Sequence, residues 1–245
     1  MCMPTSTTSI PRNAGGSRKV ITPWERDHQG NIVHVNGKPK KATEKTVIGY
    51  ASPDWIWGFI NNFRYRDFSL TIGIDGRVGG TGYNWTEQAL WNTGAHPDSD
   101  NAFRYDEVVN GQKNYIGQGV KVVSGEIKYN VDGTVMSDTR QFAPNDVPVA
   151  YSSYITSYYP NSYWAVEQAC HDMTFIKLRE LSVTYSVPKH ICNRLHLQNL
   201  EVSLIGQNLL LWTKDFKYSD PDSSKDVTTD ATKNLCSPSS RNLGF

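Results

Sequence analysis

Apolar positions in this chain recur with a period of two. From Trp57 to Tyr65 they occupy odd positions: Trp57, Phe59, Phe63 and Tyr65, with Asn61 in the same phase. From Phe68 to Ile74 they occupy even positions: Phe68, Leu70, Ile72 and Ile74. Strict alternation is the mark of a β-strand with two different faces. A change of phase across Arg66-Asp67 is what an antiparallel hairpin needs, because directly opposed residues share a face. The predicted pairs are Tyr65 with Phe68, Phe63 with Leu70, Asn61 with Ile72 and Phe59 with Ile74. Arg64, Asn62, Ser69 and Thr71 would line the opposite, polar face. The turn itself lacks the Asn-Gly or Gly-X usual in a two-residue hairpin.

Alternation returns at Thr174–Pro188. Leu181, Val183, Tyr185 and Val187 share one phase, while Ile176 and Leu178 lie in the other. A β-bulge near Arg179-Glu180 would restore one continuous face. Pro188 ends the strand, and a short turn is expected after it. A second strand follows, with Leu200, Val202, Leu204, Leu210 and Trp212 in phase and Gly206 and Asn208 interrupting it. Asn36-Gly37 and Asp132-Gly133 are further hairpin signals. At the second, Val131 would oppose Thr134 and Tyr129 would oppose Met136. A calcium loop at Asp132-Gly133 is the minority reading, since the EF-hand pattern is absent. Residues 1–19 are Ser/Thr/Pro/Gly-rich and read as loop. The connection from about Gly76 to Met173 is too long for a plain loop and must hold structure of its own.

Short connections at Arg66-Asp67 and Pro188 alternate with long ones, at 76–173 and 213–240. Antiparallel strands joined in that way describe an outer-membrane barrel. Trp57 and Trp212 would sit at the long-loop end, and Tyr65, Phe68 and Tyr185 at the short-turn end, as two aromatic belts. The predicted lipid-facing set is Trp57, Phe59, Phe63, Tyr65, Phe68, Leu70, Ile72, Leu181, Val183, Tyr185 and Trp212. The alternative is a secreted or surface β-sandwich that binds glycans and buries the same face against a second sheet.

Composition narrows the choice modestly. The 245 residues carry a net charge of +1, which offers no electrostatic case for a nucleic-acid partner. Mean hydropathy is −0.52, and no apolar run is long enough for a transmembrane helix. The four cysteines, Cys2, Cys170, Cys192 and Cys236, match no zinc spacing and read as isolated thiols. The six histidines are scattered. The carboxylate pairs Asp98/Asp100 and Asp220/Asp222 read as loop and turn residues rather than an acid–base pair. No nucleotide, zinc-protease or hydrolase motif is present, so no enzyme, cofactor or metal is expected. Candidate ligand or lid contacts are aromatic: Trp85, Trp91, Tyr154, Tyr158 and Tyr159, whose ring faces suit sugars and peptide side chains. Packing among the loops is the competing role for them.

The last third adds a resemblance. "DMTFIKLRELSVTYSVPKHI" and "LEVSLIGQNLLLWTKDFKYSDPD" resemble the carboxy-terminal region of SusC/RagA-type TonB-linked outer-membrane proteins. The matching positions are Phe175, Leu178, Arg179, Tyr185 and Pro188, then Gly206, Asn208, Leu209, Trp212, Thr213, Asp220 and Pro221. Asp222 stands where Glu is common in the family. "GYASPDWIWGFINNFRYRDFSLTIGIDGRVGG" is similar to the family's upstream strand pair. The resemblance covers roughly Ile48 to Phe245. It implies an all-β fold: antiparallel strands forming the C-terminal part of a 22-stranded transmembrane β-barrel with long extracellular loops, in the cell outer membrane. It implies import of oligosaccharides or peptides, a SusD-like lipoprotein partner, and coupling to the TonB complex through an amino-terminal plug. Against that pattern the chain is expected to be a carboxy-terminal fragment that does not transport by itself. Residues 1–47 are expected to form a polar loop and hairpin segment, and 48–245 the barrel portion, with the family's final strand missing.

Overall fold

The computed structural model describes residues 18–131, 134–161, 166–222 and 240–244. In chain order its strands begin with β1 (Arg18–Ile21), β2 (Val33–Val35), β3 (Lys38–Pro39) and β4 (Thr46–Tyr50). Next come β5 (Trp55–Tyr65), β6 (Phe68–Val78) and β7 (Thr81–Tyr83), then helices α1 (Trp85–Thr93) and α2 (Ala102–Asn110). β8 (Val120–Ser124), β9 (Ile127–Tyr129), β10 (Val135–Asp138) and β11 (Gln141–Pro144) precede α3 (Tyr151–Tyr158). The chain continues through β12 (Cys170–Asp172), β13 (Phe175–Ser186), α4 (Lys189–Arg194), β14 (Glu201–Thr213) and β15 (Asn242–Gly244). Strands dominate and are mostly antiparallel, but four α-helices are present among the described residues. These residues hold several open sheets and no closed barrel. Two compact units divide them. One contains residues 18–49 and 83–170; the other contains 50–82, 171–222 and 240–244.

The second unit is built on a five-stranded sheet in the order β15-β14-β13-β6-β5. The β5–β6 register is the one the phase switch predicts: Tyr65 opposes Phe68, Phe63 opposes Leu70, Asn61 opposes Ile72 and Phe59 opposes Ile74. The two-residue turn closes because Arg66 adopts a left-handed φ of 51°, a strain that Gly or Asn would avoid. In β13 the register shifts between Leu178 and Glu180 against both neighbours. Arg179 is the extra residue, and the bulge brings Ile176 and Leu178 onto the face of Leu181, Val183 and Tyr185. β14 is irregular at the same level, where Asn208 has φ 53°.

Two expectations need correction. Pro188 does not lead into a short turn; it precedes α4, whose Cys192 is buried at 1% exposure and donates its thiol to the Val187 carbonyl. Proline with extended dihedrals is a ready helix start, and a buried side chain holds the extra residues in place. In the β9–β10 ribbon Tyr129 opposes Val135 rather than Met136, with a register shift after Val135. Asn130 and Thr134 hydrogen-bond across its end; Asp132 and Gly133 lie outside the described residues.

The first unit gathers β2, β3, β8 and β11 into one sheet. Asn36 and Gly37, at φ 52° and 75°, make the mirror-image turn that Asn-Gly favours. Within the long connection, Asn84 caps α1 by accepting from the Glu87 amide, and Asn101 caps α2 by accepting from Arg104. Its core is aromatic. Trp24, Tyr83, Val166 and Ala169 form one buried cluster; Tyr151, Tyr154 and Ile155 form another.

Candidate functional site

Register and pleat together sort the five-stranded sheet into two faces. One carries Trp57, Phe59, Phe63 and Tyr65 of β5, Phe68, Leu70, Ile72 and Ile74 of β6, Ile176, Leu178, Leu181, Val183 and Tyr185 of β13, and Val202, Leu204, Leu210 and Trp212 of β14. This face is open to solvent: Phe63 is 54% exposed, Phe68 53%, Leu204 62% and Trp212 55%. Contiguous exposed apolar area on this scale marks a surface that meets something other than water. Two rows of aromatic residues cross the sheet. At one end Tyr65, Phe68 and Tyr185 are direct neighbours, with the Phe68 and Tyr185 rings 4.8 Å apart. At the other end Trp57 and Trp212 flank Gly76 and Ile176 in register. The Trp57 indole lies over Gly76, where a Cβ would come within 2.6 Å of the ring.

The opposite face is mostly polar and internally bonded, although β5 adds the exposed Ile56 and Ile60 to it. Thr71 Oγ1 donates to Asn62 Oδ1 at 2.7 Å, and Thr184 and Ser203 hydroxyls meet at 2.9 Å. At its far end lies a charge cluster. Lys177 Nζ is 2.5 Å from Asp220, and Arg179 pairs with Asp75 and, at 2.7 Å, with Asp222. Asp220 and Asp222, read from sequence as turn acids, are therefore ion-paired. The signal that could have found them is charge placement: Lys177 and Asp75 sit at directly opposed positions of neighbouring strands, on the face away from the apolar one. A recess of about 480 Å³ lies beside them, lined by Asn208, Leu211, Thr213, Phe216, Asp220 and Arg241 among others.

The candidate contact residues lie in the first unit and pack chiefly on each other. Trp91 is stacked between His96, at 4.0 Å, and Tyr159, at 5.1 Å. Tyr158 stacks on Trp24 and Tyr154, and Trp85 is tilted against Tyr83. Tyr154 is only 5% exposed, and its hydroxyl meets His34 Nε2 at 3.2 Å. Burial pushes the hydroxyls of Tyr154 and Tyr159 well above the ordinary tyrosine value. Trp85, Trp91, Tyr158 and Tyr159 stay half-buried, each with part of its surface available. Nearby, Arg140 bonds both Asp138 and buried Glu25, and its hydrogen bonds pull Asp138 down to about 2. Among the described residues no cluster of histidines, cysteines and carboxylates could hold a metal ion. Cys192 is a free thiol.

An antiparallel sheet with one open apolar face, aromatic rows at both ends and a bonded polar face has the character of a transmembrane β-sheet of the outer-membrane kind. Comparison with known proteins agrees. TonB-dependent receptor P3 of Formosa agariphila is 25% identical over 77% of this chain and 15% of its own length. TonB-dependent receptor P26 of the same organism is 25% identical over 74% of this chain and 14% of its own. The chain thus spans about a seventh of the curated relatives it matches. No family model matches it. Among solved structures, the RagAB peptide importer in its open-open state aligns with 88% of this chain and 21% of its own at 13% identity, with a TM-score of 0.46. The RagAB peptide transporter aligns with 84% and 20% at 16% identity, with a TM-score of 0.43. At those scores the structural likeness adds no weight. Over about three quarters of its length the chain is thus similar in sequence to TonB-dependent receptors.

Proposed function

We propose that this chain is the C-terminal barrel portion of a TonB-dependent outer-membrane transporter of the SusC/RagA type, one of whose sheet faces meets lipid. The observation that carries the reading is the open apolar face bounded by aromatic rows. Trp55, 64% exposed, and Tyr65 mark the two ends of β5, about 33 Å apart along the strand. A barrel tilt of roughly 40° reduces that to about 25 Å, the height of an outer-membrane apolar band. Trp57, Phe59, Phe63, Tyr65, Phe68, Leu70, Ile72, Leu181, Val183, Tyr185 and Trp212 are then the lipid contacts. The polar face looks into the lumen, where charge and hydroxyl groups stay hydrated. In a barrel, the open edges of this sheet pair with further strands, since lipid does not tolerate unpaired backbone.

In this reading the transporter takes up oligosaccharides or peptides, works with a SusD-like lipoprotein and draws energy from the TonB complex. The relatives' names support the TonB link. Trp85, Trp91, Tyr158 and Tyr159 offer the accessible aromatic surface for substrate or lid; Tyr154 serves as their core. The glycan-binding sandwich gains no support from a face so widely exposed.

The test uses the full-length gene product. It should fractionate with the outer membrane. Phe63→Cys should react with a lipid-partitioned maleimide and resist a charged one, while Asn62→Cys should do the reverse. Recovery of the protein in the soluble fraction, or equal labelling at both positions, would refute the assignment.

A further inference from the structure

The segment that follows β14 does not leave the sheet as a loose loop. Thr213 Oγ1 donates to the Phe216 carbonyl at 2.7 Å, and Phe216 is 2% exposed with its ring edge-on to His171. Lys214 reaches Asp172 at 2.7 Å. Further on, the Asp222 amide donates to Asp220 Oδ1 at 2.9 Å, which fixes the two carboxylates as one rigid turn around Pro221. Both are met from β13. Lys177 Nζ lies 2.5 Å from Asp220 and 3.4 Å from Asp222, and the Lys177 and Asp220 side chains are each 2% exposed. Arg179, the bulge residue, bonds Asp222 with one amino group and Asp75 of β6 with the other.

An ion pair this deeply buried is costly to desolvate and is weak evidence of added stability. Removing either partner leaves a charge in a dry site, so the pair tolerates one arrangement of the segment and penalises others. The bulge serves the same end, because the extra residue swings the Arg179 side chain to the polar face beside Lys177.

We infer that residues 214–222 form a strap latched across the polar face of the sheet by Lys177 and Arg179, with Asp75 anchoring the latch to β6. The strap also walls the 480 Å³ recess beside β14, so its release would open that recess. The latch stands on ion-pair geometry and does not depend on what covers the apolar face.

Trypsin tests it, because Lys214 and Lys217 place cleavage sites within the strap. In the full-length protein in its native membrane fraction, wild-type cleavage at these sites should be slow. Lys177→Met and Asp220→Asn should each speed it by on the order of tenfold or more, as local opening becomes cheaper. The exchanged pair Lys177→Asp with Asp220→Lys should be cleaved more slowly than either single variant. Wild-type rates in both single variants, or an exchanged pair no better than the singles, overturns the latch. Should the single variants fail to accumulate, yield is compared instead: recovery in the exchanged pair supports the latch, and no recovery overturns it.

Discussion

Tyr154 and Phe63 are similar in size and shape, yet one is 5% exposed and the other 54%. The difference lies in what each region can bring to meet its rings. In the unit of residues 18–49 and 83–170, aromatic residues arrive from separate segments: Trp24, Trp91 and Tyr115 pack against Tyr158, Tyr159 and Tyr154 respectively. In the five-stranded sheet every aromatic ring on the apolar face projects from the same plane, and no second layer of the described residues covers them. The first unit satisfies its rings with protein; the second leaves them exposed. Aromatic content alone therefore does not distinguish a core from an open face.

The sharpest way to break this comparison is truncation. Tyr154→Ala should cost the first unit about 3–5 kcal/mol, read as lost hydrogen-exchange protection across residues 83–161 of the full-length protein. Phe63→Ala should leave that protection untouched. A smaller effect is expected from Ile72→Arg at the middle of the apolar face, about 2–4 kcal/mol if the face meets lipid. Thr71→Arg, one residue away on the polar face, should be nearly neutral, with folded yield in the outer membrane as the measurement. Equal tolerance of both arginines would erase the distinction between the faces.

The smallest effect is a pH dependence confined to the first unit. Burial lowers the pKa of His34 below the ordinary 6.5, against hydrogen bonds that raise it. The folded state thus binds its proton less readily than the unfolded chain. The contribution is complete above about 6.5 and is lost as pH falls through that value toward the folded pKa. Exchange protection of β2 and α3 should decline over that range, and His34→Gln should flatten the decline.

Much of the sheet was legible because its instructions are local. A period of two places side chains on faces whatever the surroundings, and the phase changes at Arg66-Asp67 and at Arg179 followed from pleat geometry alone. The bulge was readable for the same reason: only one extra residue reconciles Leu178 with Leu181. The α4 segment was not, because Pro188 forbids continuation of the strand without saying what replaces it; burial of Cys192 decides that. The β9–β10 register also slipped by one, since Val135 and Met136 are both exposed and no buried face enforces a choice.

Pattern by itself thus settled which residues share a face, since alternation is a property of the backbone. Folding in three dimensions settled the companions. Tyr154 found a histidine 120 positions away, and Lys177 found an aspartate 43 positions away. Contacts between residues so distant depend on how connections close and which charges are driven out of water together, and no short-range spacing encodes that.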